Sequence, residues 1–442
     1  MSRYATNRLP RHRGEAAWAS ILGPGPRYPR LEAECTADVV IVGAGFAGLS
    51  AARRLVQLRP KARVILLEAG KIAEGAAGRN SGFMNDLPDN LTGDDHEGAG
   101  DGRAQIAMNR HAIAFSREAV ENYGISADFF DPSGKVIGSV GAAADRQNQI
   151  NAAHLDDLNE PYEHLDAQAM EALTGSRYYR SGLFTPGTVM LQPAGYIRGL
   201  AEGVSRNVTI HERSPVISIK RIGHVWRVQV PNGGVAAPQV ILATNGHVES
   251  FGIATGRLMH VFLYAALTPV LPEGALGGAR RWGIRSSDPM GTSMRRIDGP
   301  QGGDRILTRA VATLRSGMRA SELDLERAAG IQQRKFDARF PGLAGLRPEY
   351  TWAGQLCLSR NGASVTGEVD EGLFTACVQN GLGTTRGTLS GIAAAEMSCG
   401  LDTVLTRHFS AEPPPPRLSP LPFRDAVGNM VIRWKERRAA LE

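Results

Sequence analysis

The 442-residue chain has few cysteines and no long run of apolar residues. Its four cysteines, Cys35, Cys357, Cys377 and Cys399, form no Cys-x-x-Cys pair, and their spacing fits neither a zinc site nor a disulfide framework. We therefore expect free thiols, as in a reducing cytoplasm. No stretch approaches the ~18 uninterrupted apolar residues of a membrane span, and the polar N-terminus lacks the apolar segment of a signal peptide. These absences predict a cytoplasmic protein without a membrane span.

Other catalytic and binding signatures are also missing. No cluster of histidines and carboxylates indicates a metal site, and no Gly-x-Ser-x-Gly motif indicates a hydrolase. The net charge is +6, but much of the excess lies in the short runs 8–14 and 433–438. Basic residues do not alternate with aromatic ones, so we expect no nucleic-acid partner. No internal repeat is present.

The abundant residue is glycine, with 52 copies, and three of them lie in the first recognisable unit. Apolar patterning predicts a buried strand, a helix and a second buried parallel strand at 38–42, 46–58 and 62–70. Gly43, Gly45 and Gly48 form Gly-x-Gly-x-x-Gly between the strand and the helix. They allow, in turn, a tight turn, close approach of a pyrophosphate and close helix–strand packing. The unpaired N–H groups of the helix N-terminus favour the same anion.

An acidic residue and a donor-rich loop follow this unit. Glu68 comes twenty residues after Gly48, where a carboxylate binds an adenosine ribose and opposes a 2′-phosphate. These features suit either NAD or FAD, so an NAD-dependent dehydrogenase on a plain Rossmann domain stays an alternative. Residues 75–83 favour FAD, because Arg79, Asn80 and Ser81 offer donors to a pyrophosphate and a flavin edge.

The rest of the chain alternates helices and strands. Residues 1–35 are predicted to be an irregular lead-in, and the prolines and glycines of 23–29 exclude a helix there. We predict a loop at 80–102. Helices are predicted at 103–123, 192–207, 321–338 and 425–441, and strands within 208–230 and 237–246. Residues 372–400 predict a strand, a glycine-rich turn and a helix.

Several stretches together resemble one known family. They are DVVIVGAGFAGLSAARRL (38–55), EAGKIAEGAAGRNSGF (68–83), LQPAGYIRGLA (191–201), VILATNG (240–246) and GLFTACVQNGLGTTRG (372–387). In this order they resemble the D-amino-acid-oxidase-like family of FAD-dependent amine and amino-acid oxidoreductases, and its gamma-glutamylputrescine oxidoreductase branch above all. The resemblance extends from about residue 28 to 410.

The resemblance implies a set of contacts with non-covalent FAD. The implied contacts are Gly43, Gly45, Phe46, Ala47, Gly48, Glu68, Ala69, Ala77, Gly78, Arg79, Asn80, Ser81, Met84, Val216, Ala243, Thr244, Gly381, Leu382, Gly383 and Thr384. The last four form a second glycine turn, whose amides would stabilise negative charge on the reduced flavin. Some relatives attach the flavin through a cysteine, but Cys357 lies about two residues from the matching position.

The implied fold is α/β, with a doubly wound, Rossmann-like FAD domain and a second, mixed-sheet substrate domain. We expect 1–35 to be a lead-in and 411–442 a tail with a helix. The FAD domain is assigned to 36–115, 186–255 and 350–410, and the substrate domain to 116–185 and 256–349.

The implied reaction is oxidation of a C–N bond of a small amine or amino acid, with oxygen or another electron acceptor. A non-catalytic flavin-binding subunit is the other alternative. Arg309, Arg305 and Tyr264 are the candidates for orienting the substrate, since Arg binds carboxylates in bidentate fashion. Weaker candidates are Arg295, Arg296, Trp352, Asn85 and His260, of which we expect Trp352 and His260 to be structural.

Overall fold

The computed structural model describes residues 3–6, 8–88, 102–288, 290–420, 423–439 and 442. These residues form an α/β fold, as predicted, and their strands lie in four sheets. Most of the loop predicted at 80–102 lies outside the described residues. None of the described helices is both long and apolar enough to cross a membrane.

A six-stranded sheet, which we call the parallel sheet, forms the core of the unit that contains the first glycine turn. Five adjacent strands are parallel and the sixth is antiparallel. In spatial order they are Val208–His211, Val64–Leu67, Val39–Val42, Gln239–Leu242, Leu373–Cys377 and Val365–Asp370. Four of these strands are buried or nearly so along their length, which explains their continuous apolar sequence.

Two helices that follow glycine turns pack against each other beside this sheet. They are Phe46–Leu58 and Thr385–Ser398. A Cβ on Gly391 would lie only 2.1 Å from the carbonyl oxygen of Ala47, so glycine is required for this contact. The small side chains of the second helix thus bring the two turns, far apart in sequence, to one place.

An eight-stranded sheet, which we call the large sheet, forms the second unit. In spatial order its strands are Tyr350–Ser359, Leu258–Leu267, Arg305–Leu314, Ser293–Ile297, Trp282–Ser286, Lys135–Ser139, Ser181–Thr185 and Glu163–Leu165. Tyr350–Ser359 pairs along its whole length with Leu258–Leu267, so it is an edge strand of the large sheet. The expected division of the chain into domains stays a prediction.

Two smaller sheets complete the fold. A five-stranded sheet contains Arg3–Ala5, Ser218–Ile222, Val225–Val230, Gly233–Ala237 and Glu34–Thr36, and a three-stranded sheet contains Phe83–Met84, Val189–Leu191 and Phe130–Asp131. The prediction of an irregular lead-in was therefore wrong in part. Its two ends are edge strands, and Trp18 in the helix Ala17–Ser20 is fully buried.

The other described helices are Gly102–Tyr123, Ala142–Leu158, Ala167–Thr174, Pro193–Val204, Glu322–Arg339, Val404–Ala411 and Phe423–Arg438. Short 3₁₀ turns occur at Ala76–Gly78, Ala127–Phe129, Asn245–Phe251, Gly299–Gln301 and Pro341–Leu343. Glu322–Arg339 begins at a capping box formed by Ser321 and Asp324. As predicted, no helix occupies 23–29.

Candidate active site

A cavity of about 1260 Å³ lies between the parallel sheet and the large sheet. Most residues predicted to bind the cofactor line it: Gly43, Gly45, Phe46, Ala47, Glu68, Ala69, Ala77, Arg79, Asn80, Ser81, Val216, Ala243, Thr244, Gly381, Leu382, Gly383 and Thr384. Three described residues of the predicted set, Gly48, Gly78 and Met84, do not line it. These three residues contact the backbone or the core behind the residues that form the cavity surface.

The first glycine turn has a separate geometric reason for each glycine. Gly43 has φ +103°, and a Cβ there would lie 2.7 Å from the carbonyl oxygen of Ala243. A Cβ on Gly48 would lie 1.8 Å from the carbonyl oxygen of Gly43. A Cβ on Gly45 would instead make an ordinary 3.6 Å contact with the side chain of Ala77. The fold therefore requires Gly43 and Gly48, whereas Gly45 leaves open space on the cavity side.

Glu68 lies at the end of its strand and is fixed by backbone groups. Its two carboxylate oxygens accept hydrogen bonds from the N–H of Ala44, at 2.8 Å, and of Gly70, at 2.9 Å. Burial raises the pKa of this carboxyl, although the N–H donors of Gly70 and Ala44 oppose that shift. The carboxylate is thus hydrogen-bonded to the glycine turn through Ala44, and Glu68 also lines the cavity.

The donor-rich loop after this strand is held by its own side chains. Asn80 donates to the carbonyl of Ala77 at 2.6 Å and accepts from the N–H of Gly82 at 2.8 Å. A Cβ on Gly78 would lie 1.8 Å from the carbonyl oxygen of Ala73, so this residue shapes the loop from behind. Met84 is fully buried in the hydrophobic core.

Arg79 connects this loop with the lead-in. Its guanidinium donates to the carbonyls of Glu74, Gly14 and Ala353, at 2.8, 2.9 and 3.2 Å. Burial lowers the pKa of Arg79 to about 10. Because the side chain binds backbone carbonyls on three segments, its first role is to join the loop, the lead-in and the large sheet.

The second glycine turn, residues 381–384, also lines the cavity. Gly381 has φ +86°, and nothing lies within 4 Å of a Cβ placed there, so the requirement is conformational. Thr384 donates to the carbonyl of Phe83 at 2.8 Å, and Thr385 donates to the carbonyl of Asn85 at 3.1 Å. These bonds attach the turn to the segment that follows the donor-rich loop.

The wall formed by the large sheet carries two arginines. Arg309 lies directly across from Ala265 on one neighbouring strand and from Ser293 on the other. It donates to the hydroxyl of Ser293 at 2.9 Å. Because Ile284 pairs with Met294, Arg285 lies beside Ser293 on the next strand and also lines the cavity. Sequence patterns did not identify Arg285 or Ser293, since nothing in their local sequence distinguishes them.

Of the other two predicted orienting residues, Tyr264 lines the cavity and Arg305 does not. Tyr264 donates to or accepts from the hydroxyl of Thr313 at 2.7 Å, and its ring packs in a cluster with Phe262 and Leu325. Burial raises the pKa of Tyr264 to about 12. Arg305 does not line the cavity and forms an ion pair with Glu349. Arg305 thus lies outside the cavity lining, whereas Tyr264 lines the cavity with its hydroxyl bonded to Thr313. A role of either residue in orienting the substrate stays a prediction.

Arg295 and Arg296 are structural as well. Arg296 forms two hydrogen bonds of 2.8 Å with the carboxylate of Asp304. Arg295 is buried over the ring of Trp18, at 5.3 Å, and donates to the carbonyl of Ser81 at 3.3 Å. Burial lowers the pKa of Arg295 to about 9. Through its bond to the carbonyl of Ser81, this arginine holds the donor-rich loop in position.

The lead-in contributes one residue that the sequence did not reveal. His12 lines the cavity, and burial, together with the positive charge of Arg79, lowers its pKa to about 3. The imidazole is therefore neutral at physiological pH. Its position depends on the contacts that Arg79 makes with the lead-in, so no local motif could have indicated it.

Comparison with protein families decides the class of cofactor. The family model described as FAD dependent oxidoreductase matches residues 38–397, most of the chain. The chain belongs to this family. The FAD interpretation is thereby confirmed, and the alternative of a plain NAD-dependent dehydrogenase was wrong. The matched range includes both glycine turns and the wall of the large sheet.

Curated relatives carry oxidoreductase names. The chain is 26% identical over 403 residues to the probable oxidoreductase OrdL of Haemophilus influenzae, covering 86% of this chain and 87% of that one. It is 27% identical over 232 residues to the gamma-glutamylputrescine oxidoreductase of Escherichia coli, covering 50% of this chain and 52% of that one.

Solved structures share the fold. Glycine oxidase from Geobacillus kaustophilus superposes with a TM-score of 0.69 at 18% identity, covering 84% of this chain and 96% of that chain. An L-amino acid deaminase from Proteus vulgaris gives a TM-score of 0.67 at 18% identity, covering 89% and 99%. At this identity the likeness shows the fold alone.

The cavity fits the cofactor of the family. Open space beside Gly45, the amides of the helix that begins at Phe46 and the half-buried carboxylate of Glu68 suit the adenosine and pyrophosphate parts of FAD. The second turn at Gly381 lies in the same cavity, beside Thr384. It offers further backbone amides for the other end of the cofactor.

Cys357 lines this cavity but is a poor nucleophile. Burial raises the pKa of its thiol well above the usual value, and the nearby carboxylate of Glu249 acts in the same direction. A thiol must ionise before it reacts. The raised pKa argues against attachment of the flavin through Cys357, and non-covalent binding of FAD stays a prediction.

A buried ionic network lies behind Cys357 and joins the lead-in to the cavity. Glu249 binds His260 at 2.5 Å, Arg8 at 2.9 Å and the N–H of Gly256 at 2.7 Å. His260 in turn contacts Gln355, which lines the cavity, at 3.3 Å. Burial disfavours the charge on Glu249, but the hydrogen bonds from His260 and Gly256 and the charge of Arg8 lower its pKa overall.

Replacement of Glu249 by glutamine is expected to lower the melting temperature at neutral pH, because His260 and Arg8 lose their charged partner. The folded-state pKa lies below the usual 4.5, so the stabilisation is present above pH 4.5 and disappears as the pH falls through the lowered value. Thermal unfolding from pH 7 to pH 3.5 should show the difference shrinking with acid.

The control is Glu171→Gln, which removes an exposed ion pair with Arg177 and should change little. A difference between wild type and Glu249→Gln that is constant across the pH range would contradict the assignment of charge to Glu249.

Proposed function

We propose that this protein oxidises the C–N bond of a small amine or amino acid, giving an imine that water hydrolyses. When bound, FAD supplies the hydride acceptor for this reaction at its N5 atom. The chain itself binds and orients the substrate and excludes water from the reacting atoms. The observation that carries the proposal is that Arg309 and Arg285 of the large sheet line the same cavity as the two glycine turns.

Residues at three places are proposed to hold the cofactor. The backbone N–H groups at Gly45, Phe46 and Ala47 bind the pyrophosphate, and Glu68 binds the ribose. The backbone at Gly381–Thr384 donates to the flavin ring, where negative charge collects on reduction. Most of the remaining contacts predicted from the family resemblance line the same cavity, whereas Gly48, Gly78 and Met84 do not.

The charge of the opposite wall favours a substrate with a carboxylate. Arg309 and Arg285 lie in one cross-strand row with Ser293 between them, and all three line the cavity. Among the described lining residues, the carboxylates come from the parallel-sheet side and the lead-in, and this row holds none. A planar guanidinium fixes a carboxylate with two parallel hydrogen bonds. Arg309 is therefore proposed to orient an amino-acid substrate.

Apolar groups complete the wall and limit the entry of water. Leu263, Ala265 and Leu356 line the cavity on the two strands next to Arg309. We propose that they shield the carbon that loses hydride from solvent, and exclusion of water would strengthen the arginine–carboxylate contact. The neutral His12 and Gln355 add polar groups to the cavity lining without adding charge.

The test is anaerobic titration of the purified flavoprotein with a panel of amino acids and of amines that lack a carboxylate. We expect amino acids to bleach the visible flavin absorbance and to yield ammonia or an amine after hydrolysis. Acid precipitation of the same sample should release the flavin into the supernatant. A protein that holds FAD but is bleached by no member of the panel would favour a non-catalytic flavin-binding subunit.

A further inference from the structure

The C-terminal helix Phe423–Arg438 is attached to the large sheet by polar side chains of one face. Asn429 accepts from the N–H of Leu314 and donates to its carbonyl, both at 2.9 Å. Glu436 accepts from the N–H of Ala312 at 2.9 Å. On this side of the strand Arg305–Leu314, only residues 305–309 pair with Ser293–Ile297. The bonds from the helix therefore satisfy backbone groups of the remaining residues, which have no neighbouring strand there in the described part of the chain.

The opposite face of this helix is apolar and exposed. Its exposed fractions are Phe423 74%, Val427 57%, Met430 70%, Val431 46% and Trp434 53%. Their spacing of four, three, one and three residues places them along one side of the helix. Single exposed apolar residues are ordinary, but five on one helical face mark an interaction surface. We call these five residues the apolar stripe.

Positive charge surrounds the apolar stripe. Arg433, Lys435, Arg437 and Arg438 are exposed, and the guanidinium of Arg438 lies over the ring of Trp434 at 4.9 Å. The two acidic residues of the helix face inward. Asp425 accepts from the N–H of Ser316 at 3.0 Å, and Glu436 pairs with Arg327 at 2.6 Å. The outward face is therefore cationic as well as apolar.

We propose that this face docks the protein on the surface of an anionic lipid bilayer. A helix with an apolar face and flanking Lys and Arg lies in the plane of the membrane interface, and anionic headgroups attract the basic residues. Trp434 suits the headgroup level because its ring is amphipathic, and the arginines extend their stems along apolar surface. A second copy of the chain fits less well, because two-fold pairing would bring like charges together.

Tryptophan fluorescence of the holoenzyme reports on this docking directly. Of the five tryptophans, Trp18, Trp226, Trp282 and Trp352 are buried, so Trp434 dominates any change caused by a surface contact. We expect vesicles of phosphatidylglycerol and phosphatidylcholine in equal parts to blue-shift the emission and to sediment the protein. Vesicles of phosphatidylcholine alone should bind at least about tenfold less, and salt should weaken binding to the anionic vesicles.

Three variants separate the apolar and the ionic contributions. Met430→Ser/Trp434→Ser should reduce sedimentation with anionic vesicles at least about tenfold, and so should Arg433→Glu/Arg437→Glu. The control is Val404→Ser, which alters a 67% exposed residue on another helix and should bind as the wild type does. All three should keep flavin content and melting temperature, since these side chains point away from the sheet.

Two results would overturn the proposal. One is equal sedimentation, or none, with anionic and neutral vesicles. The other is concentration-dependent self-association in analytical ultracentrifugation that the Met430→Ser/Trp434→Ser variant abolishes, because the apolar stripe would then bind a second copy. Sedimentation with vesicles does not require turnover. Its outcome is therefore independent of whether the proposed reaction is confirmed.

Discussion

Alanine in place of Gly48 is expected to yield a protein that purifies with little or no flavin and unfolds at a lower temperature than the wild type. The new Cβ would lie 1.8 Å from the carbonyl oxygen of Gly43, which belongs to the backbone and has no rotamer to move. The helix must shift away from the strand, and overpacking of this kind costs about 1–3 kcal/mol or more. The measurements are the flavin-to-protein absorbance ratio and thermal unfolding.

Gly45→Ala gives a matched comparison three residues before Gly48 in the same turn. Its Cβ would make only a 3.6 Å contact with Ala77, so the apoprotein should unfold as the wild type does. The space it fills is the space assigned to the pyrophosphate, so FAD affinity should fall about tenfold or more. Gly342→Ala, which has nothing within 4 Å and lies outside the cavity lining, serves as the control. Normal FAD affinity in Gly45→Ala would place the pyrophosphate elsewhere.

Replacement of Arg309 by leucine is expected to lower kcat/KM for amino-acid substrates by roughly 30-fold to a few thousand-fold. The estimate follows from the cost of about 2–5 kcal/mol for removing one partner of a buried, hydrogen-bonded charge pair. Arg309→Lys should recover only part of the loss, because lysine keeps the charge but not the planar pair of donors. Steady-state kinetics with an amino acid and with its decarboxylated amine provide the measurement.

The two substrates distinguish orientation from general damage. The amine lacks the carboxylate, so Arg309→Leu should affect it little, and flavin content should stay at the wild-type level. Arg180→Leu removes an exposed arginine that pairs with Asp145 and should leave both rates unchanged. Equal losses for the amino acid and the amine would show that Arg309 supports the wall without contacting the carboxylate.

The sequence by itself determined those parts of the site whose residues are neighbours in the chain. The strand, turn and helix around Gly43 and Gly48 are local, because the turn needs glycines at fixed offsets from a buried strand. The same holds for Glu68 at the end of the next strand. The second glycine turn was identified for the same reason, since Leu373–Cys377 and Thr385–Ser398 flank it directly. These elements were predicted with boundaries close to those of the structure.

Only the tertiary structure decided which side chains face the cavity from the large sheet. Leu263, Tyr264 and Ala265 are consecutive, and all three line the cavity. The ring of Tyr264 nevertheless packs in a cluster with Leu325 of the helix Glu322–Arg339, and its hydroxyl is bonded to that of Thr313. A bulge opposite this position places Val311, at φ +73°, as an extra residue in the neighbouring strand. A bulge exchanges the two faces of a strand, and sequence alternation does not reveal where one occurs.

A sequence motif also does not show how far along a strand the cavity extends. Arg305 and Arg309 share a face of their strand, but four residues separate them by ~13 Å. One therefore pairs with Glu349 beyond the cavity, whereas the other lies within it beside Arg285. Arg285 and His12 join the site from segments far away in the sequence. Local patterns fix the backbone that holds the cofactor, while strand register and long-range packing choose the side chains that meet the substrate.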